Sequence, residues 1–397
     1  MRAGNCPFNK ALTMLPNDHS NALLLGRVQT ADGPSVVTLR DGRVVDITVR
    51  GTPTMRDLME RDDLVDHVRG AEGTDIGSID DIAAASTETP KVPHFLPPAD
   101  LQAIKAAGVT FAQSMVERVI EEQAAGNADR AQDIRTRVQG VIGDSLFGIV
   151  PGSDKAMQLK DVLQKEGLWS QYLEVGIGPD AEVFTKCQPL ASVGWGASVG
   201  LHPSSSWNNP EPEVVLAVDS RGRIRGATLG NDVNLRDVEG RSALLLGKAK
   251  DNNASCAIGP FIRLFDEHYT VDDMRRAELT LDVIGEDGFV LEGRSSMSKI
   301  SRDPDEIVAQ TIGRHHQYPD GFLLFLGTLF APVQDRDAPG KGFTHKPGDV
   351  VTISEGRLGS LRNTVRLSTT CPEWTFGAGA LMRTLQPQRR SDRVSGP

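Results

Sequence analysis

The sequence predicts an α+β fold in which a small β-rich N-terminal unit precedes a larger domain of helices followed by strands. The chain has 397 residues, more than the ~250 to 300 residues that one core usually organises. Helical spacing of apolar residues runs from about residue 110 to about residue 170. From about residue 172 onward, short apolar runs alternate with Gly, Pro, Asn and Asp, which is typical of strands and turns.

Composition and charge exclude several classes of protein. The chain carries 43 basic and 53 acidic side chains, a formal charge of -10, without a block of Lys and Arg, so we expect no nucleic-acid partner. No apolar run approaches the ~20 residues that cross a bilayer, so we expect no membrane partner. The opening MRAGNCPFNKALTML lacks a signal-peptide pattern, which favours a cytoplasmic protein. Its widely spaced cysteines are then expected to be free thiols: Cys6, Cys187, Cys256 and Cys371.

Residues 1–100 are predicted to form an accessory domain of short strands. The apolar runs at residues 23–25, 36–39 and 44–49 are separated by Asp-Gly turns at residues 32–33 and 41–42, a strong hairpin signal. One helix is predicted over MRDLMERDDLVDHVRG, and the proline-rich stretch KVPHFLPPAD then predicts a stiff connector. We therefore expect a domain boundary near residue 100. The role of this N-terminal domain stays open.

Residues 101–385 are predicted to form a second, larger domain, and residues 386–397 a polar tail. Asp100 is predicted to cap a short helix that ends at Gly108. A longer helix is predicted over residues 110–125, and residues 129–170 also have a helical pattern. The buried stripe of the longer helix is expected to contain Phe111, Met115, Val119 and Ile120.

An acidic cluster is the densest chemical signal in the sequence. Glu211 and Glu213 are two residues apart, so on a strand both side chains leave the same face, and Pro212 between them suits an edge strand or a strand opening. Asp232 follows after an apolar strand, a turn and a return strand, which can bring its carboxylate beside the other two. Three carboxylates at one point favour a hard cation such as Mg²⁺, Mn²⁺ or Ca²⁺. The alternative is an exposed acidic turn, since most charge clusters are solvated.

Seven segments taken in order resemble the fumarylacetoacetate hydrolase family over roughly residues 105–385. They are GVTFAQSMVERVIEEQ, AEVFTKCQP, PEPEVVLAV, GNDVNLRD, AKDNNASCAIGPFI, FLLFLGTLFAP and KPGDVVTIS followed by LGSLRNTV. The resemblance implies that Glu211, Glu213 and Asp232 hold a divalent metal ion. It also implies a mixed β-roll with the metal at its mouth, in a homodimer or higher homo-oligomer.

The first of these segments bears on the reaction. Many family members carry Asn-Tyr-x-x-His-x-x-Glu there, but here Ser114 stands at the His position and Glu117 at the Glu position. A serine hydroxyl cannot replace imidazole as the base that activates water. The form with Thr110, Phe111, Ser114, Arg118, Glu121 and Glu122 instead resembles the family's 2-keto-3-deoxypentonate dehydratases.

The resemblance implies a dehydratase that converts a 2-keto-3-deoxypentonate into 2,5-dioxopentanoate through a metal-stabilised enolate. A 2-keto acid can chelate Mg²⁺, which acidifies its C3 protons. Lys250 is expected to act as the base or to stay charged beside the enolate, and Glu121 or Glu117 to donate the proton, ahead of Glu122. Further residues are expected to bind the substrate or support the metal site: Arg118, Lys186, Arg236 and Thr328. Arg118 has a structural alternative, a helix salt bridge to Glu121 or Glu122.

Two other functions remain open at this point. One is an acylpyruvate or diketo-acid hydrolase on the same scaffold, with Glu117 orienting the water. The other is a non-catalytic sensor of sugar acids. The glycines at residues 194–200 and the pair His315-His316 are interpreted as turn and loop features, because the helix and the third ligand that a nucleotide or metal site needs are missing. His202 and Trp207 either line the pocket or belong to a packed loop.

Overall fold

A computed structural model describes residues 14–141, 146, 148–165, 167, 169–330 and 332–385 of the chain. The predicted polar tail at residues 386–397 and the predicted free thiol of Cys6 lie outside these residues. Cys187, Cys256 and Cys371 are free thiols, as predicted, and all three are buried. Among the described residues, no helix is both long and apolar enough to cross a bilayer.

The strands, β1 to β18 in chain order, have the following bounds. They are Leu24–Thr30, Gly33–Arg40, Arg43–Asp46, Thr74–Ser78, His94–Leu96, Ala103–Gly108, Glu182–Cys187, Ser198–Leu201, Asn208–Asn209, Pro212–Val218, Ile224–Asp232, Asn234–Leu235, Cys256–Leu264, Glu278–Ile284, Val290–Ser296, Phe322–Phe325, Val350–Glu355 and Gly359–Leu367. The predicted Asp-Gly turns separate β1 from β2 and β2 from β3.

The helices of the described residues are α1 to α12 in chain order, of which α4 to α7 lie together between β6 and β7. Their bounds are Met55–Met59, Leu64–Gly70, Ile79–Ala85, Ala112–Gln123, Ala128–Val141, Asp154–Lys165, Gln171–Ile177, Arg236–Glu239, Leu246–Lys250, Val271–Met274, Pro304–Thr311 and Ala378–Leu385. Helix α4 buries the predicted stripe, Phe111 included at its N-cap. The expectation of a single helix at residues 55–70 was wrong: α1 and α2 are separate, and Thr54 caps the first.

Eleven strands of the described residues form one large sheet. Its order is β4-β3-β2-β1-β13-β11-β10-β16-β6-β7, and β5 also pairs with β1. Strand β1 pairs antiparallel with β13, so Leu24 lies opposite Arg263. The predicted boundary near residue 100 therefore does not divide the sheet, because the N-terminal strands extend it.

A second sheet covers one face of the large one. Its order within the described residues is β15-β14-β17-β18-β8. Side chains such as Leu216 and Leu229 of the large sheet share a buried cluster with Leu281 and Ile353 of the smaller sheet. This cluster supports β10 and β11 from one side and gives the acidic residues at their ends a rigid base.

The stretch from residue 101 to 108 corrects one expectation. It was predicted to be a helix capped by Asp100, but residues Ala103–Gly108 form β6, which pairs in parallel with β16 and antiparallel with β7. Asp100 instead supplements the Thr54 cap of α1, since its carboxylate accepts from the N–H groups of Met55 at 2.7 Å and Arg56 at 3.1 Å. Pairing with strands far away in the sequence overrides the local capping signal.

Candidate metal centre and active site

The acidic residues meet at the start of one hairpin. Pro212 opens β10, where its missing N–H is tolerated, and lies opposite Asn231 of β11. The N–H of Asp232 donates to the carbonyl oxygen of Glu211 at 3.0 Å, which joins the two ends. The hairpin thus forms as predicted, although β10 lies between β11 and β16 and is not at an edge.

Glu211, Glu213 and Asp232 form an acidic triad whose donor oxygens lie within 4.8 Å of one another. All three side chains are buried, so the alternative of an exposed acidic turn is wrong. Burial raises the pKa of Glu213 well above its usual value, and the charges of Asp232 and Glu211 raise it further. Oxygen donors that repel one another at this spacing suit a hard divalent cation, so the residues present fit the metal that the resemblance implies.

Two buried lysines contact the triad. The Nζ atom of Lys250, at the end of α9, lies 2.6 Å from Glu211 Oε2 and 3.2 Å from Asp232 Oδ2. Lys186 Nζ, from β7, lies 2.8 Å from Asp232 Oδ1 and also donates to the backbone oxygen of Lys250. Burial alone raises the pKa of Asp232, but Lys186 and Lys250 outweigh it and lower that pKa. Burial lowers the pKa of Lys250, but Asp232, Glu211 and Glu239 outweigh it and hold the amine as an ammonium.

Arg118 connects α4 to the triad. One of its terminal nitrogens donates to Glu211, and the other lies 2.6 Å from Glu121 Oε2 and 3.0 Å from Glu239 Oε2. The helix salt bridge considered from sequence is therefore present, and the same guanidinium also reaches a triad member. Arg118 can orient Glu211 while facing the pocket.

Glu117 and Glu121, the acids favoured from sequence, are held by arginines. Arg135 and Arg236 bind Glu117 at 2.8 and 3.0 Å, and Arg236 also binds Glu121 at 2.6 Å. Burial raises the pKa of Glu117, but the two arginines outweigh it and lower that pKa. As far as the described residues show, the pocket lining includes neither carboxyl nor Arg236.

Glu122 also lies away from the triad. Its carboxylate accepts from Ser170 Oγ, and from Gln171 Nε2 at 2.9 Å. These partners belong to the start of α7, so Glu122 joins two helices and is not placed to meet a substrate.

A pocket opens onto the triad and Lys250. Ser114, Arg118 and Thr328, three of the residues singled out from sequence, line it, whereas Lys186 is outside the lining and contacts Asp232 and the backbone of Lys250. Ser114 Oγ donates to the carbonyl of Phe111 at 2.8 Å, and Thr328 Oγ1 donates to that of Phe330 at 2.9 Å. Both hydroxyl oxygens remain able to accept a hydrogen bond from a polar ligand.

Two acidic residues of the pocket were missed from sequence, Glu182 and Glu239. Within the described residues the Glu182 carboxyl forms no ion pair or hydrogen bond, and a Cβ added to Gly108 would lie 1.9 Å from its Oε2. Burial and the nearby charge of Glu239 raise the pKa of Glu182 to about 7. Burial also raises the pKa of Glu239, which ends α8. The sequence of β7 gave one indication of Glu182, because the alternation of side chains along a strand places Glu182 and Phe184 on the same face as the predicted site residue Lys186.

The other features weighed from sequence lie away from the pocket lining. Trp207 packs under Arg236, with the guanidinium carbon 4.5 Å from its ring centre, and His202 Nδ1 accepts from the Ser204 N–H at 3.1 Å. His315 and His316 are exposed in a turn. Both histidine sites are therefore loop features, and Trp207 supports the arginine network.

Comparison with known proteins agrees with this geometry. Residues 209–366 match the family model described as fumarylacetoacetate (FAA) hydrolase, C-terminal. The matched part of the chain resembles a fumarylacetoacetate hydrolase C-terminal domain. It contains the whole acidic triad and Lys250, and it ends within β18.

Two curated relatives of this chain are named as dehydratases. A 2-dehydro-3-deoxy-D-arabinonate dehydratase of Saccharolobus solfataricus is 33% identical over 185 residues, which cover 47% of this chain and 58% of that protein. A probable 2-keto-3-deoxyxylonate dehydratase of Haloferax volcanii is 30% identical over 202 residues, 51% of this chain and 66% of that protein. The chain thus matches less than two thirds of the length of either relative.

Solved structures show that the fumarylacetoacetate hydrolase fold extends beyond the matched domain. A 2-keto-3-deoxy-D-arabinonate dehydratase complexed with magnesium and 2,5-dioxopentanoate superposes with a TM-score of 0.60 at 20% identity, over 87% of this chain and 99% of that chain. The apo form of that dehydratase gives the same TM-score, identity and coverage. The predicted α+β fold of the fumarylacetoacetate hydrolase type is confirmed.

Proposed function

We propose that this chain is a divalent-metal-dependent hydro-lyase that converts a 2-keto-3-deoxypentonate into 2,5-dioxopentanoate. The observation that carries the proposal is the buried acidic triad with Lys250 Nζ 2.6 Å from Glu211, in a pocket that also holds the Glu182 carboxyl, which has no partner within the described residues. This arrangement offers a metal site, a base and an acid at one place. The names of the two curated relatives and of the magnesium complex support the same reaction class.

We propose that the triad holds Mg²⁺, although its oxygen donors also suit Mn²⁺ and Ca²⁺. A divalent cation there would polarise the keto oxygen of the substrate and, as a neighbouring positive charge, lower the pKa of Lys250. Lys250 then acts as the base that removes a proton from C3. It is the pocket amine nearest to the triad, at 2.6 and 3.2 Å from two of its carboxylates.

Glu182 is the proposed proton donor to the C4 hydroxyl, in place of Glu121 or Glu117. A general acid works best when its pKa is near the operating pH, and the pKa of Glu182 is raised to about 7. Glu117 is bound by Arg135 and Arg236, which lower its pKa and favour the ionised form that cannot donate. Glu121 is bound by Arg118 and Arg236 and does not line the pocket. The C4–O bond breaks as the hydroxyl takes the Glu182 proton and leaves as water.

The hydrolase alternative is disfavoured by the position of Glu117. That function needs Glu117 to orient a water at the metal, yet Arg135 and Arg236 hold both of its carboxylate oxygens. Ser114, at the family's His position, donates to a backbone carbonyl and offers no base. The arrangement that activates water in hydrolases is therefore replaced here by an ion-pair network.

The test is to incubate the purified chain with racemic 2-keto-3-deoxypentonate and Mg²⁺ and to follow the product by mass. We expect the loss of one water, abolished by EDTA and restored by added Mg²⁺. Glu213→Gln is expected to be inactive, and Glu122→Gln, which alters a carboxyl outside the pocket, is expected to keep activity. An unchanged substrate mass would reject the proposal for pentonates. Tight ligand binding without turnover would indicate the sensor, and cleavage of an acylpyruvate the hydrolase.

A further inference from the structure

One peptide unit connects Thr110 to a member of the acidic triad. The carbonyl oxygen of Leu326 accepts from Thr110 Oγ1 at 2.6 Å, and the N–H of the next residue, Gly327, donates to Glu213 Oε2 at 2.7 Å. Both groups belong to the same planar unit, in which C=O and N–H point in opposite directions. A contact that fixes the orientation of the Leu326 carbonyl therefore also fixes the Gly327 N–H in the direction of Glu213.

The surroundings hold this peptide in one orientation. Gly327 has a φ of +96°, and a Cβ there would lie 2.0 Å from Thr110 Oγ1, so the contact between the two segments is close. The carbonyl of Thr110 accepts from the N–H of Ser301 at 2.8 Å and from its hydroxyl at 2.9 Å. Thr110 is thus bonded at both its side chain and its backbone.

Val109, which lines the pocket, adds a further sign of constraint. Its φ is +58°, a region that is costly for a β-branched residue and persists only where the surrounding structure imposes it. The following residue is Thr110, so this turn directs the threonine side chain toward Leu326. Thr110 and Glu213 are each about 1% exposed, and water therefore cannot replace the lost bond easily.

We propose that Thr110 is a positioning residue for the metal centre: through the Leu326–Gly327 peptide, its hydroxyl orients Glu213 and sets the affinity for the divalent cation. The inference rests on the metal role proposed for the triad. Without the hydroxyl, the Leu326 carbonyl loses its donor and the peptide can rotate, so Glu213 loses the N–H that fixes one of its oxygens. Removal of a residue that orients a metal ligand in this way typically lowers metal affinity 10–100-fold.

The experiment measures Mn²⁺ binding alone, by the loss of the free-ion signal in electron paramagnetic resonance, on the purified full chain. Thr110→Val keeps the shape and removes the hydroxyl, and we expect Mn²⁺ affinity to fall about 10–100-fold. Thr110→Ser restores the hydroxyl and is expected to bind within a few-fold of the wild type. Thr311→Val is the matched control, because its buried hydroxyl donates to the Ile307 carbonyl at 2.8 Å in α11, away from the triad. We expect its affinity to be unchanged.

The outcomes separate this inference from the proposed function. Equal Mn²⁺ affinity in the wild type and Thr110→Val would overturn the role of Thr110 and leave the metal site intact. No Mn²⁺ binding by the wild type would instead reject the metal site itself. If Thr110→Val does not fold, as judged by circular dichroism, Thr110→Ala takes its place with the same expected loss. A loss that serine fails to restore would also reject the hydroxyl's role.

Discussion

Lys250 Nζ lies 2.6 Å from Glu211 Oε2, so a buried ammonium contacts a carboxylate of the acidic triad directly. The same ammonium lies 3.2 Å from Asp232 Oδ2. Glu211 and Asp232 therefore face both Lys250 and the position proposed for the metal. The charge of a bound cation and the protonation of Lys250 must then be coupled, since each weakens the other's attraction to these carboxylates.

Lys250→Met separates catalysis from metal binding. We expect turnover to fall by at least about 10²-fold, because a positioned acid or base commonly contributes about 10² to 10⁴ in rate. Metal affinity should be retained or increased, since a competing positive charge has been removed from the triad. Product mass and Mn²⁺ titration measure the two effects. Wild-type turnover in this variant would contradict the proposed base.

Glu182→Gln tests the proposed acid through pH dependence. Burial raises the pKa of Glu182 from 4.5 to about 7, so the carboxyl is protonated below that pH and loses its proton above it. An acid must be protonated to donate, and we therefore expect the wild-type rate to fall as pH rises through about 7. The variant should be about 10² to 10⁴ slower and should lack this limb. If the rate of Glu182→Gln still fell as pH rose through about 7, that fall would belong to another group. The control Glu122→Gln should keep the pH–rate profile of the wild type.

The acidic triad was predictable because its geometry is local. Period-two alternation places Glu211 and Glu213 on one face, and a single hairpin returns Asp232 beside them. Glu182 was only partly predictable from its own strand, because alternation places it on the same face as Lys186 but does not show what that face meets. Only the pairing of β7 with β6 brings Glu182 opposite Gly108 at the pocket.

Long-range pairing also explains the error at residues 101–108. The local sequence has a capping aspartate and a terminal glycine, which together indicate a short helix. Phe322 of β16 lies opposite Ala103, more than two hundred residues earlier in the chain, and this parallel pairing fixes the segment as a strand. The same holds for β1, whose partner β13 could not be read from the N-terminal sequence. The turns were predicted correctly because Asp-Gly acts over only a few residues.

Metal binding should stabilise the chain through the acidic triad. A cation that binds only the folded state, at a concentration 100 times its Kd, raises the free energy of unfolding by about 2.7 kcal/mol. We therefore expect the melting temperature to rise with Mg²⁺ and to fall back with EDTA. In Glu213→Gln, Mg²⁺ should no longer raise the melting temperature. Without metal, the same variant should melt at or above the wild-type temperature, because burial and two like charges disfavour ionised Glu213. A metal-dependent rise that survives Glu213→Gln would place the cation elsewhere.

Asp349→Asn should reduce stability in a pH-dependent way. Asp349 is buried and accepts from Arg336 at 2.7 Å and from His345 Nδ1. Burial raises its pKa, but the hydrogen bonds from Arg336 and His345 outweigh it and lower that pKa from 3.8 to about 2. A lowered pKa stabilises the fold above about pH 4 by roughly 2 kcal/mol, and this contribution disappears as pH falls toward 2. We expect chemical denaturation to show the difference between wild type and variant at pH 7 and little of it near pH 2. Asp287→Asn, which removes a more exposed partner of Arg336, should cost less because solvent screens that pair.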